Sequence, residues 1–428
     1  MPKQPVSRKN NLIRKALLLL LIPLLCLLAG CWDRIEIEER AFIIGVAIDK
    51  AEQPQEKEEE DEASNEPSAV EEGQSSRNIP ETKRGRYSVT FQAVVPEGVR
   101  QGGSAKGGQS SSQANYVNIS VQGDSLFSAS KSLAGKMSRT PYFQHLKLIV
   151  VSEELVKESN ELLRVMDFFL RENQMRRSVN VMISRSKAAP ALESKPKGEN
   201  FPALYLSNIA DSIQSSSWML PETRIGNLHE LQLSNHSYAV QYVKTEKNES
   251  RVTGAAIMDG QKHEMKGTLT DEQTQGLNFL TGDVKGGVLE TTVKGEPLAL
   301  EIMHAYRDLR LLSSSRGHFT FQFRIEVEGA VGEIQSNLNL DKAKLLEEAE
   351  RALSAKIMTT AKDTIRTLKG YRTDVLGLQQ YLYENHYNLW KPVSKDWEGA
   401  HGYFTDTEIQ VHADVKIRRI GNIIQSEK

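Results

Sequence analysis

Both cysteines of this chain, Cys26 and Cys31, fall within its first 31 residues, inside and just beyond a short apolar run. Whatever folds after them does so without a disulfide, a thiolate metal site or a catalytic thiol, so its stability has to come from a buried core. A chain of 428 residues can bury one, because the fraction of surface removed from water rises with size. It is small secreted domains that depend on covalent staples. Length sets an expectation of roughly two to four domains.

Lys3, Arg8, Lys9, Arg14 and Lys15 form a positive leader without an acid, and Ala16 to Leu28 is apolar apart from Pro23. That is the layout of a secretory signal, and the run is shorter than the ~20 residues a spanning helix needs. Leu28-Ala29-Gly30-Cys31 resembles the bacterial lipobox, in which the cysteine thiol takes a diacylglycerol thioether before cleavage. The expectation is a cleaved lipoprotein signal peptide over 1–30, with Cys31 as the lipid-attachment residue. The competing reading is an uncleaved signal anchor with an incidental cysteine. Two acyl chains suffice for stable anchoring.

The formal charge of -2 conceals a split. The leader carries five bases and no acid, which leaves about -7 from Cys31 onward, and Glu52 to Glu72 holds ten acids against Lys57 alone. The remainder is close to neutral. No basic face and no pattern of arginines interleaved with aromatics stands out in its sequence, so nucleic acid has little support as a partner.

Ala41 to Ile48 is a continuous apolar run that reads as a buried strand. From Ala51 to about Arg84 the residues are Glu, Gln, Ser, Asn and Pro, which cannot offset their own ordering entropy, and a disordered acidic insert is expected there. Tyr87, Val89, Phe91 and Ala93 then alternate with the period of a half-buried strand. A Gly/Ser-rich segment, 101–113, lacks the Gly-Lys-Ser/Thr ending of a phosphate loop. Strands are expected over 116–121, 146–151 and 178–184, and helices over 124–137 and 153–171, capped by Asp124 and Ser152. This order indicates a mixed sheet covered by helices, assigned to one domain over 32–195.

After a linker at 195–200, residues 201–285 read as a second, smaller α+β unit. It holds a helix over 201–217, a helix or loop to His229, strands at 238–244, 252–258 and 263–269, a hairpin signal at Asp259-Gly260, and a helix from Thr270. Residues 286–428 read as a third α+β domain. There Phe319, Phe321, Phe323, Ile325 and Val327 alternate with polar neighbours, and 341–368 is the longest helical pattern, capped by Asp341 and ended at Gly370. A helix over 373–387 and a strand from Glu408 to Ile417 complete it. The fold class is α+β, with three mixed α/β domains after the signal peptide.

No nucleophile elbow, paired-histidine metal motif or dinucleotide fingerprint occurs, and the nine histidines are scattered. Neither enzyme activity, a metal nor a cofactor is expected. Polar residues in apolar surroundings are the better candidates for partner or ligand contacts: His145 and Lys147 on one side of a strand, Asp167 and Arg171 at ion-pair spacing on a helix, and Arg176 just beyond. The plainer reading of the last three is a solvated pair with helix C-terminal charges.

Several motifs occur in order: Leu28-Ala29-Gly30-Cys31-Trp32-Asp33 with Glu38-Glu39, Gln144-His145-Leu146-Lys147, Asp167-Phe168-Phe169-Leu170-Arg171 with Arg176, and Gly254-Ala255-Ala256-Ile257. Asp374-Val375-Leu376-Gly377-Leu378, Trp390-Lys391, Trp397 and the final strand through Gly421 follow. Together they resemble the Ger(x)C lipoprotein family, the C subunit of nutrient germinant receptors of endospore-forming bacteria. The chain departs from that pattern by its acidic and Gly/Ser insertions and by lacking a Gly-rich continuation after Asp374. The resemblance implies a non-enzymatic subunit, held on the outer face of the spore inner membrane through lipid on Cys31. It would work with a polytopic A subunit and a transporter-like B subunit in nutrient-triggered germination. The alternative is a substrate-binding lipoprotein that takes a small nutrient directly; such a protein would show two similar halves, and the order of elements does not repeat.

Overall fold

The apolar run at 41–48 forms an interior strand of a nine-stranded sheet. The structure, a computed structural model, describes residues 39–52, 85–95, 115–212, 216–315, 317–334, 340 and 342–419. The expected signal peptide, Cys31, nearly all of the acidic insert and the Gly/Ser segment lie outside these residues. In β1 (Arg40–Lys50), Ile43, Val46 and Ile48 enter one core layer and Ala47 the other, each fully buried. Burial on both faces is why the run does not alternate.

The sheet order is β3 (Tyr116–Gly123), β2 (Tyr87–Val94), β1, β5 (Leu148–Ser152), β6 (Asn180–Ser184), β7 (Tyr238–Glu246), β8 (Glu249–Met258) and β9 (Met265–Leu269). Short β4 (Thr140–Tyr142) pairs with the start of β1. β1, β5, β6 and β7 run parallel, and the flanking strands join antiparallel.

Helices α1 (Leu126–Ala134), α2 (Glu153–Val156), α3 (Glu161–Arg171) and α6 (Ile225–Ser234) cover one face, and α4 (Ala189–Glu193) and α5 (Pro202–Ala210) the other. A Cβ on Gly45 would come within 2.6 Å of the Ala203 Cβ, so this glycine sets how closely α5 sits.

The strands of 201–285 extend this same sheet. Ile183 pairs with Tyr242 and Ser184 with Val243, so 195–200 lies on a crossover within one sheet and not between two. The sheet's β7–β8 turn is a two-residue hairpin at Lys247 and Asn248, both with positive φ, the primed geometry that suits strand twist.

Strands β10 (Val288–Val293), β11 (Glu296–Ser315), β12 (His318–Ile334) and β13 (Glu408–Arg419) form a second sheet in that order. The alternating aromatics of β12 point inward as expected, with Phe321 and Phe323 fully buried. Two helices seal this sheet: α7 (Asp271–Thr281), with a capping box between Thr270 and Gln273, and α8 (Ala343–Tyr371). Ser354 and Glu350 of α8 accept from the Val415 and Ile417 N–H groups at 3.0 Å, covering the β13 edge, which would otherwise invite strand pairing. Ala255, Ile257 and Leu269 of the first sheet share one hydrophobic core with Phe279, Phe321 and Ile357. The α+β class is borne out.

Four local expectations need correction. Ser125, not Asp124, caps α1, exchanging 3.1 Å hydrogen bonds with Ser128. The helix expected over 153–171 is two, broken at Asn160, which takes a left-handed conformation (φ 64°) and donates its N–H to the Lys262 carbonyl; asparagine tolerates that region. The long helix runs through Gly370 to Tyr371, because Tyr371 Oη donates to the Thr268 carbonyl (2.9 Å) and Lys369 to those of Thr405 and Thr407. Such contacts outweigh glycine's weak propensity. The helix expected from 373 starts only at α9 (Leu378–Asn385), since the Asp374 carboxylate accepts from the N–H groups of Leu378 and Gln379.

Candidate functional site

Helix α3 buries Leu162, Val165, Met166 and Phe169 and turns Asp167 and Arg171 outward. The two pair at 2.8 Å, both well exposed, which is the i,i+4 contact expected from sequence. They border a groove of about 560 Å³ between α1 and α3, whose walls include Arg86, Tyr87, Phe127, Arg164 and Phe168. Phe127, at the start of α1, is 61% exposed, an unusual position for a ring.

At the base of this wall lies Glu161, with no exposed surface. It accepts from Tyr87 Oη at 2.8 Å and from the guanidiniums of Arg86 and Arg164. A buried carboxylate is tolerated only with such partners, and the first turn of a helix favours it further. Burial first, and then the Glu161 carboxylate, pushes the Tyr87 hydroxyl up to about 12. Sequence reading missed Glu161; the only signal was an acid at an i-1 step from the apolar stripe of α3.

His145 and Lys147 do not lie within β5. They are exposed in the turn that leads into it, and the His145 ring packs edge-on against Phe42 with centroids 5.2 Å apart. Arg176 is exposed in the turn before β6. The two turns are neighbours, since the Asn180 N–H donates to the Lys147 carbonyl at 2.9 Å. The five candidates thus divide into a pair on α3 and a group at the strand entries. Cys31 lies outside the described residues.

A second polar cluster joins the two sheets. Asp374, 4% exposed, accepts from Trp397 Nε1 at 2.7 Å as well as from the two N–H groups of α9. Glu398 accepts from the Asp374 N–H and, at 2.8 Å, from the Ser237 hydroxyl at the start of β7. Burial, then the Asp374 charge, pushes the Glu398 carboxyl up to about 7, and burial also raises Asp374. These carboxyls accept from backbone, indole and hydroxyl donors contributed by both parts of the fold, and so fasten one sheet to the other. Among the described residues no group of three or more His, Cys, Asp or Glu is arranged to hold a metal ion.

The sequence matches the family model "Spore germination protein N-terminal domain" over residues 33–245 and "Spore germination B3/ GerAC like, C-terminal" over residues 253–421. Spore germination protein B3 of Bacillus subtilis (strain 168) is 25% identical over 404 residues, 94% of this chain and 96% of that protein. Spore germination protein YndF of the same organism is 27% identical over 429 residues, 97% and 99% of the two chains. A crystal structure of the GerBC protein shares the fold, with a TM-score of 0.55 at 24% identity over 78% of this chain and 93% of that one. The class defined by this two-part architecture is that of the spore germination proteins. Within it, the chain belongs to the germinant-receptor C-subunit family, and its role lies in spore germination.

Proposed function

We propose that the protein is a lipid-anchored subunit of a nutrient germinant receptor, tethered to the outer face of the spore inner membrane through acylated Cys31, where it scaffolds or modulates the polytopic A and B subunits. The observation that carries this reading is the place of β1: this interior strand begins at Arg40, nine residues after Cys31. A lipid on that cysteine would hold the whole first sheet against the membrane on a short leash. The groove beside Asp167 and Arg171, with Phe127 at its mouth, offers a partner an apolar contact flanked by charge.

Copurification from solubilised spore membranes tests the proposal. The tagged chain is expected to bring down both membrane subunits and to take up a palmitate analogue, and the Cys31→Ala chain to do neither. Label retained by the alanine variant refutes the anchor; a parent chain recovered alone refutes the scaffold.

A further inference from the structure

β1, β5 and β6 run parallel, so their starts share one end of the sheet. The chain reaches that end from Cys31 through nine residues, a contour of at most about 30 Å. Most of the charged side chains gathered there are cationic, and the two acids beside the start of β6, Asp211 and Glu222, are both held by Arg224. Arg139 precedes β4 in the register that pairs Thr140 with Arg40, His145 and Lys147 are exposed before β5, and Arg176 and Arg177 before β6. The Arg40 guanidinium lies 4.2 Å over the Tyr142 ring, so aromatic groups back the charges.

Among the described residues none of these bases makes an ion pair, and the acids nearest in the chain are Glu39 and Glu172. At the other end of the same strands the cations are engaged: Lys50 with Glu158 at 2.7 Å, Lys187 with Glu52, and Arg86 with Glu161. Lys195, Lys197 and Arg251, also without ion pairs, line an open cavity of about 600 Å³ by the β7–β8 turn. That turn closes the far end of β7, away from the tether.

We infer that the strand-entry end carrying Arg40, Arg139, Lys147, Arg176 and Arg177 docks on anionic lipid headgroups, so that the ectodomain stands on the bilayer by this face. The inference rests on the lipid anchor proposed above. Lys and Arg near an anionic surface are attracted within about a Debye length, and salt removes the attraction. The competing occupant is the tether itself, which carries Asp33, Glu36 and Glu38 against Arg34.

The test uses the mature lipoprotein on vesicles of phosphatidylcholine, alone or mixed with phosphatidylglycerol. Backbone amides of 143–147 and 172–178 are expected to exchange roughly tenfold more slowly on the mixed vesicles. High salt and the combined Lys147→Glu, Arg176→Glu, Arg177→Glu variant should both abolish the difference, with the variant's urea midpoint unchanged. Equal exchange on the two vesicles overturns the inference, and so does protection that survives charge reversal. Protection independent of lipid composition but lost in the variant assigns the bases to the tether and overturns it as well. Failure of the anchor reads differently: a chain without lipid on Cys31 does not float with phosphatidylcholine alone, and its flotation or sinking with the mixed vesicles still decides the docking face.

Discussion

Replacing Glu398 by glutamine is expected to stabilise the protein at pH 8 and to weaken it at pH 4. In the fold the carboxyl is raised from 4.5 to about 7, by burial first, then by the charges of Asp374 and Asp259, against the pull of the Asp374 N–H and the Ser237 hydroxyl. His236, held below the usual imidazole range by its own burial, faces Asp374. An acid whose folded value is raised holds its proton more tightly folded than unfolded. Its contribution to stability is complete below about 4.5, falls as pH rises towards about 7, and stays at its lowest beyond.

By linkage that gap is worth about 3 kcal/mol. Glutamine keeps the shape and an accepting oxygen but gives up one hydrogen bond, a loss of about 1 kcal/mol. The variant should therefore be about 1 kcal/mol less stable than the parent at pH 4 and about 2 kcal/mol more stable at pH 8. Asp374 adds slope of the same sign to both proteins and largely cancels in their difference. Urea unfolding followed by tryptophan emission reads the effect directly, since Trp397 donates to Asp374. A parent–variant difference that stays flat from pH 4 to pH 8 would refute the reasoning.

Glu161→Ala should cost about 3 kcal/mol in urea unfolding, because Tyr87 Oη loses its acceptor in a buried site and two guanidiniums lose their partner. Gly267→Ala places a Cβ 2.3 Å from the Tyr371 ring and should cost about 1–3 kcal/mol. Adding Tyr371→Ala should recover part of that loss, giving a double variant whose cost is below the sum of the two. Asp167→Ala removes an exposed ion pair and should shift stability by less than ~1 kcal/mol. A germination defect at unchanged melting temperature then places this helix face at a partner, whereas a large melting shift contradicts the exposed geometry.

What could be read from sequence was whatever depends on near neighbours in the chain. The two-sided burial of β1, the inward phenylalanines of β12 and the Asp167–Arg171 pair all follow from local periodicity. The misses have long-range causes. Nothing within ten residues of Asn160 announces that its N–H will meet the Lys262 carbonyl, or that Tyr371 will anchor a helix past Gly370 by reaching Thr268. The candidate site was legible in the same measure. Asp374 and Trp397 stood out as motif residues, yet Ser237, which ties Glu398 to the first sheet, sits 161 positions away from it. Glu161 was invisible because its three partners come from β2, the residue before it, and one turn further along its own helix.

The two family segments meet between residues 245 and 253, inside the β7–β8 hairpin. A gene cut there to express the halves separately would leave the first fragment ending on a bare strand, with Val240 and Tyr238 deprived of Ala256 and Met258. The second would keep β8 and β9 but lose β7, whose Gln241 and Ala239 pair with Ala255 and Ile257. Neither half is a natural unit of production, and coexpressed fragments should find one another, since each carries the missing strand of the other.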